Sequence, residues 1–264
     1  APHRNWMPTP RHLNLYDDIN FPTPITYFDD YDGRQAAAEQ EMEVYDHMHE
    51  GHDLKMTVAE GSDSLKYDPW PHSFGKLTEA QRNQWDKAYR PENDALHQAD
   101  LDSNELALWK YQRYMHEYLA SIKSVDDGVG RLMDKLEEMD IKDNTIIVYS
   151  SDQGFFLGEH GWFDKRFIYE ESARMPFIMR YPGKVKEAST NEALIQNIDF
   201  APTLLDLAGV DIPQEMQGKS FTQTLSKDGN QTHHKGLYYH FYEYPSIHMV
   251  KRHYGIITDR YKLT

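Results

Sequence analysis

Cysteine is absent from this 264-residue chain. That excludes disulfides, thiolate metal sites and a cysteine nucleophile within it, and it leaves the redox compartment open. Positive charge is scarce: 28 Lys and Arg stand against 43 Asp and Glu, a formal net charge of −15. A protein that grips a phosphate backbone needs a basic footprint, so nucleic acid is excluded as a partner. No apolar run approaches the roughly 18 residues of a spanning helix, so no membrane span is expected. The start, Ala1-Pro2-His3, lacks the basic stretch and apolar core of a signal peptide.

Hydrophobic residues make up 39% of the chain, lean for a globular protein but well above a disordered composition. Aromatic residues reach 13%, enough to anchor one core or a sugar-facing cleft. The length suits one large domain or two small ones. Both ends read as cuts in a longer protein. Ala1 is not a methionine, and Asp259 to Thr264 lies inside a strand-like run with no turn after it.

Residues 1–100 are polar and rich in loop formers, with one helix expected over Ala36–Met48. Ser103 is placed to cap a long helix running to about Met139. Its apolar stripe is Tyr118, Ile122, Val125, Val129, Leu132 and Leu136, spaced 4, 3, 4, 3, 4, which predicts one buried face. Thr145–Ser150 and Pro176–Tyr181 read as buried parallel strands, the second stopped by Pro182-Gly183. Asp199–Leu207 reads as a helix with Pro202 in its first turn and Gly209 as its C-terminal stop. Gly236–Tyr242 and Tyr254–Leu263 read as strands of a smaller antiparallel unit. The alternation implies an α/β layer architecture. Two strands cannot make a doubly wound sheet, so the rest of that sheet is expected before Ala1.

The strand ending at Ser150 runs into Ser151-Asp152-Gln153-Gly154. In open α/β sheets ligands gather beyond the carboxyl ends of strands. A carboxylate and an amide oxygen side by side are hard donors, suited to Ca²⁺ or Mg²⁺; the bland alternative is a polar turn around a left-handed Gly154. Next comes Phe155-Phe156-Leu157-Gly158-Glu159-His160-Gly161-Trp162-Phe163-Asp164-Lys165-Arg166. A glycine-punctuated loop can bring main chain and cations close to an anion. Lys165 could then hold an oxyanion or a leaving oxygen. His160 could do acid–base work, or simply pair with Glu159. A buried Trp162/Phe163 pair ringed by solvated charges is the plain alternative.

The run from Asp152 to Gly161, then Lys165, Tyr169-Glu170-Glu171-Ser172 and Met175-Pro176, resembles the second half of a type I sulfatase of the alkaline-phosphatase-like superfamily. Asp126–Gly130 and Asn197–Thr203 extend the resemblance, and Ala1-Pro2-His3 with Trp162–Arg166 places it nearest the N-acetylglucosamine-6-sulfatase-like branch. It covers roughly the whole chain. The resemblance implies an alkaline-phosphatase-like mixed sheet flanked by helices, incomplete here. Residues 1–222 would be the second half of that domain, and 223–264 the start of a small antiparallel C-terminal subdomain. It implies one Ca²⁺ with Asp152 and Gln153 among its ligands, and His3 and Lys165 on the sulfate. It further implies Asp164, Arg166, His160, His248 and His253 as substrate contacts. The nucleophile of such enzymes is a formylglycine made in a Cys/Ser-x-Pro-x-Arg motif; that motif does not occur in these 264 residues.

The implied activity is hydrolysis of a sulfuric ester on a sulfated carbohydrate, a 6-O-sulfated N-acetylglucosamine, in the periplasm or outside the cell. The fragment itself is expected to be inactive, and its oligomeric state is open. A phosphoric or phosphonate ester hydrolase of the same superfamily, or a non-catalytic glycan binder, are the competing readings. A chain at −15 repels an anionic glycan at long range. A local cluster of cations overrides that within about 8–10 Å, so a small positive pocket in an acidic body is expected.

Overall fold

The computed structural model describes residues 3–57, 74–225 and 232–264. Ala1 and Pro2 of the first motif lie outside them. In chain order the elements are α1 (Gln35–Ala38), α2 (Glu79–Gln98), α3 (Ser103–Glu138), β1 (Ile147–Ser150), β2 (Phe156–Leu157) and β3 (Phe163–Asp164). They continue with α4 (Glu170–Ala173), β4 (Phe177–Arg180), α5 (Phe200–Leu207), β5 (Leu237–Phe241), β6 (His253–Ile257) and β7 (Lys262–Leu263). Two compact units result: Ala1–Asp134 with Phe156–Asp164, and Lys135–Phe155 with Lys165–Thr264.

In the first unit, the helix expected over Ala36–Met48 shrinks to the single turn of α1. The main chain beyond it is claimed by tertiary pairing instead. Phe163 N–H donates to Met42 O at 2.9 Å and Val44 N–H to Gly161 O at 2.8 Å. Helix α2 arises where only loop was expected. Thr78 and Gln81 form a reciprocal capping box, with Thr78 N–H on Gln81 Oε1 at 2.9 Å and Gln81 N–H on Thr78 Oγ1 at 3.3 Å. Trp85, Tyr89 and Asn93, four apart, make its buried face. The rest is polar, and Pro91 sits inside it, which hid the periodicity.

Helix α3 runs as expected, but its cap is Asp102 rather than Ser103: Asp102 Oδ1 accepts from the N–H groups of Asn104 (2.8 Å) and Glu105 (2.9 Å). The expected apolar stripe is not its buried face. Ile122 is 40% and Leu132 67% exposed, whereas Ala107, Lys110, Tyr111, Tyr114, Glu117 and Ser121 are buried. Burial follows the neighbours available to the first half of the helix, and tyrosines serve there because their hydroxyls reach acceptors. Tyr111 OH donates to Pro22 O at 2.9 Å, and Tyr114 OH to Phe156 O at 2.8 Å. Tyr27 OH donates to Ala107 O at 2.8 Å. Around them pack Trp6, Met42, Val44, Met48, Leu54, Phe156, Trp162 and Phe163, all at most 1% exposed.

Charge enters this core as a network. Lys55 Nζ donates to Asp53 O at 2.8 Å and lies 3.7 Å from Glu117 Oε2, which also accepts from Tyr89 OH at 2.8 Å. Asp53 in turn receives Arg4 on both oxygens, at 3.1 and 2.8 Å. Burial pushes the Lys55 amine down and the Glu117 carboxyl up, and their mutual attraction opposes both shifts.

In the second unit, β1 and β4 pair directly and antiparallel, Ile147 opposite Arg180 and Ser150 opposite Phe177. This corrects the expectation of parallel strands: a short apolar run is compatible with either orientation, and partner geometry decides. Helix α5 ends as expected at Gly209, with φ +69°. The run Tyr254–Leu263, expected as one strand, is instead two, β6 and β7, because the chain folds back between them with Thr258 N–H on Tyr261 O at 2.8 Å. The antiparallel sheet has the order β5-β6-β7, with Leu237 opposite Ile257 and Ile256 opposite Leu263. No helix among the described residues is long and apolar enough to cross a membrane.

Removing one partner of a buried ion pair strands the other, at a typical cost of about 3–5 kcal/mol. Lys55→Met is therefore expected to lower the unfolding free energy by an amount in that range, read from the fall in the urea midpoint at constant slope, and adding Glu117→Gln to recover part of it. A midpoint unchanged by Lys55→Met would remove the network's structural role.

Candidate functional site

The second unit carries a cleft of about 260 Å³ lined by Gln153, Lys165, Arg166, Ser172, Tyr239, His240, Phe241 and Glu243. Three of the residues singled out from sequence, Gln153, Lys165 and Arg166, meet there.

Gln153 is delivered by the tip of β1. The next residue, Gly154, lies against the main chain of α4: its N–H donates to Ser172 O at 2.9 Å. A Cβ there would stand 2.1 Å from Glu171 O and 2.6 Å from Arg174 O. Its φ is not positive, so close approach, rather than a left-handed turn, requires the glycine. Asp152 is exposed beside Gln153 and accepts from Ser151 Oγ at 3.3 Å. It is not part of the cleft lining.

Lys165 sits between two residues in rare backbone conformations. Asp164 has φ +71° and Arg166 φ +128°. Positive φ in residues with a Cβ costs about 1–3 kcal/mol and persists only where surroundings over-determine it. At Arg166 they do: its N–H donates to Ser172 Oγ at 3.0 Å, and its C=O accepts from Tyr239 OH at 2.6 Å. Burial raises the Tyr239 phenol, which keeps it a donor. Tyr239 is itself backed by His253, whose ring stacks on Tyr239 (5.6 Å, 22°) and on Phe167 (5.7 Å, 27°). His253 Nδ1 donates to Lys251 O at 2.8 Å.

His253 therefore stands in the wall behind the cleft. His248 is 2% exposed, and neither of the two lines the cleft. The sequence marks Ser172 only as part of the Tyr169–Ser172 motif, with no role of its own, and Tyr239, His240, Phe241 and Glu243 were not singled out from it. The alternation of β5, with Leu237, Tyr239 and Phe241 half-buried and Tyr238 and His240 exposed, was the available signal, but it does not say what that strand faces.

His3, His160 and Asp164 belong to the first unit. His3 is exposed and Asp164 is buried at the end of β3. The Glu159 carboxylate accepts from Leu157 N–H at 2.7 Å, while His160 is engaged by other groups. Its Nδ1 hydrogen-bonds Asp29 Oδ2 at 2.6 Å, its N–H donates to Thr26 Oγ1 at 3.0 Å, and its C=O accepts from Tyr31 OH at 2.7 Å. Burial pushes Asp29 up, but hydrogen bonds from Arg34 and His160 outweigh it and hold the carboxyl well below the usual range. Asp152 and Gln153 together offer two oxygen donors at a strand tip, a fit to part of a Ca²⁺ shell that takes six to eight.

Comparisons with known proteins agree on one family. The family model described as Sulfatase matches residues 23–210, and that for the C-terminal region of N-sulphoglucosamine sulphohydrolase matches 158–264. The chain is 48% identical over 266 residues to an N-acetylglucosamine-6-O-sulfatase of Bacteroides thetaiotaomicron, covering 100% of this chain and 48% of the relative. It is 39% identical over 114 residues to the human N-acetylglucosamine-6-sulfatase, covering 42% of this chain and 20% of that protein. A solved structure of a protein in complex with its substrate D-glucosamine-2-N,6-O-disulfate superposes with TM-score 0.91 at 46% identity. That superposition covers 99% of this chain and 54% of the other. A phosphonate monoester hydrolase of Agrobacterium radiobacter shares the fold alone, with TM-score 0.51 at 21% identity over 62% of this chain and 34% of that one. The alkaline-phosphatase-like architecture implied by the resemblance is thus present, as part of a domain. The chain spans about half the length of the first of these relatives.

Two outcomes are expected. Gly154→Ala forces a Cβ into main-chain oxygens, and overpacking of this kind typically costs about 1–3 kcal/mol; denaturant unfolding measures it, and a loss-free variant would remove the close-approach account. Asp29 has a folded pKa below its unfolded value near 3.9, so its stabilisation is complete above that value and is lost as pH falls through it towards the folded pKa. The acid limb of stability below about pH 5 should therefore be shallower in Asp29→Asn than in the parent, as followed by unfolding across a pH series.

Proposed function

Because the chain belongs to the sulfatase family, we propose that the protein it comes from hydrolyses the sulfuric ester of a 6-O-sulfated N-acetylglucosamine in a glycosaminoglycan or mucin-type glycan. The observation that carries this reading is the cleft in which Gln153, Lys165 and Arg166 meet, on a chain 48% identical to an N-acetylglucosamine-6-O-sulfatase.

Lys165 supplies an ammonium to the sulfate oxygens, at or near the oxygen that bridges sulfur to the sugar. Negative charge grows on that oxygen as the ester bond breaks, and a donor already fixed there lowers the barrier without reorganisation. The clamp on the Arg166 main chain holds Lys165 in register. His3 serves as the second contact to the sulfate and protonates the leaving alcohol. Asp164 and Arg166 contact sugar hydroxyls; His253 supports the cleft from behind through Tyr239, and His160 and His248 are assigned to the substrate on the family resemblance alone. The hard donors Asp152 and Gln153 suit Ca²⁺; sulfatases as a family bind a metal, and when bound it neutralises charge on the sulfate. The nucleophile and the remaining metal ligands would come from sequence outside these residues. Residues 1–222 and 223–264 are assigned to the α/β domain and to a C-terminal subdomain built on β5–β7. Periplasmic or extracellular location follows from where sulfated glycans are found.

The test is sulfate release from a panel of monosulfated sugars by the complete protein. N-acetylglucosamine-6-sulfate should be the preferred substrate, and Lys165→Ala should lose about 10²-fold or more in turnover with an unchanged circular dichroism spectrum. Full activity in that variant would end the lysine assignment, and preference for a phosphate or phosphonate ester would end the sulfatase reading.

A further inference from the structure

Beyond the cleft, the described residues bring two His/Asp clusters to within 4.8 Å between ligand atoms: His49, His52 and Asp53, and Asp199, His233 and His234. The first is already satisfied. Both oxygens of Asp53 receive Arg4, so a metal ion there would face a guanidinium.

The second cluster is different. Asp199 is fully buried, where the chain enters α5. Its Oδ1 accepts from Lys219 N–H at 2.9 Å, and its Oδ2 from Gln196 N–H at 3.0 Å and His234 Nε2 at 2.8 Å. His233 Nε2 lies 3.5 Å from the same Oδ2, on a side chain only 2% exposed. That nitrogen is buried and makes no hydrogen bond, and burial, with the neighbouring His234, pushes the imidazole towards its neutral form. Consecutive side chains of an extended strand point to opposite faces. Here the chain bends at His233 and Lys235, just before β5, and the two rings come together at 4.2 Å and 67°. The bend brings two imidazoles to one carboxylate that also holds two main-chain N–H groups, and it leaves His233 Nε2 buried beside that carboxylate without a hydrogen bond.

We propose that Asp199 Oδ2, His233 Nε2 and His234 Nε2 bind a transition-metal ion of the Zn²⁺ class, separate from any Ca²⁺ site. Two imidazoles and one carboxylate suit Zn²⁺, Co²⁺ or Ni²⁺ rather than Ca²⁺. Donors about 2.0–2.2 Å from a tetrahedral ion stand roughly 3.3–3.6 Å apart. The 3.5 Å spacing fits already, and the 2.8 Å spacing opens when the ion replaces the proton shared by His234 and Asp199. A fourth position remains for water. The ion ties the segment entering β5 to the start of α5, and β5 carries the Tyr239 that clamps Arg166. Its role is structural support for that strand, and it holds independently of which ester the protein cleaves.

The test is Co²⁺ titration of the metal-stripped intact protein in saturating Ca²⁺, read by visible absorption and by thermal unfolding. Expected are ligand-field bands of a four- or five-coordinate ion, a raised unfolding temperature, and displacement of the bands by Zn²⁺. His233→Gln should weaken Co²⁺ binding by about tenfold or more, a difference of roughly 1.4 kcal/mol. His234→Gln should do the same. If His234→Gln does not fold, His233→Gln decides alone, because it leaves the Asp199–His234 pair in place. No bands, or bands unaffected by His233→Gln, would overturn the proposal and leave a plain buried Asp–His pair.

Discussion

The main chain of Arg166 is held at both of its polar groups, and the cleft is organised around that grip. Ser172 Oγ takes the N–H and Tyr239 OH feeds the C=O. An isolated arginine would rarely rest at φ +128°; here two hydrogen bonds from different elements hold it there. The consequence is local and mechanical. Lys165 lies between that residue and Asp164 at φ +71°, so its stem starts from a main chain that cannot relax. Fixing a lysine this way matters because its four-carbon stem is otherwise flexible. The same α4 that supplies Ser172 accepts Gly154 at its main chain, so one turn of helix fixes both Gln153 and Lys165.

The first unit solves a related problem with different means. Its interior is built from tyrosines and tryptophans more than from aliphatic side chains, which suits a chain with 39% hydrophobic residues and 18 tyrosines. Each large ring buries apolar area, and the hydroxyls of Tyr27, Tyr31, Tyr111 and Tyr114 each close a main-chain carbonyl that would otherwise be stranded, while that of Tyr89 goes to Glu117. Lys55, Glu117, Arg4 and Asp53 extend that logic to charge. None of the four is tolerable alone in such a place, and together they fix the loop around Asp53 to α3 and to the segment that follows His3. His160 belongs to this scheme as much as to any site. Its ring Nδ1 is held by Asp29, and its main chain by Thr26 and Tyr31.

The legible parts of the sequence were those with strong local signals. The span of α3, the stop of α5 at Gly209, and the antiparallel hairpin beyond residue 236 follow from helical spacing, a glycine after the last turn, and alternation. The failures share a cause. The Ala36–Met48 helix was displaced by pairing of Met42 and Val44 with a hairpin more than a hundred residues away, which no local window contains. The stripe from Tyr118 to Leu136 had the right period, yet the buried face is set by which half of α3 has neighbours. Helix α2 was missed because Pro91 and a polar composition masked three buried positions, although the Thr78–Gln81 capping box marked its start.

By itself the sequence determined the chemistry on offer: no thiol, an acidic body, two hard oxygen donors at the end of a strand, and a lysine in a glycine-punctuated loop, in an order that marks the family. Residue type and short spacing are written in the chain, and hard-donor preference or helical period needs nothing more. Only the tertiary structure decided which of those groups meet. It brought Gln153, Lys165 and Arg166 to one cleft with Ser172 and Tyr239, turned β1 and β4 antiparallel, and gathered two adjacent histidines onto Asp199. Those outcomes depend on contacts between segments far apart in the chain, where packing and hydrogen-bond satisfaction, rather than local preference, set the balance.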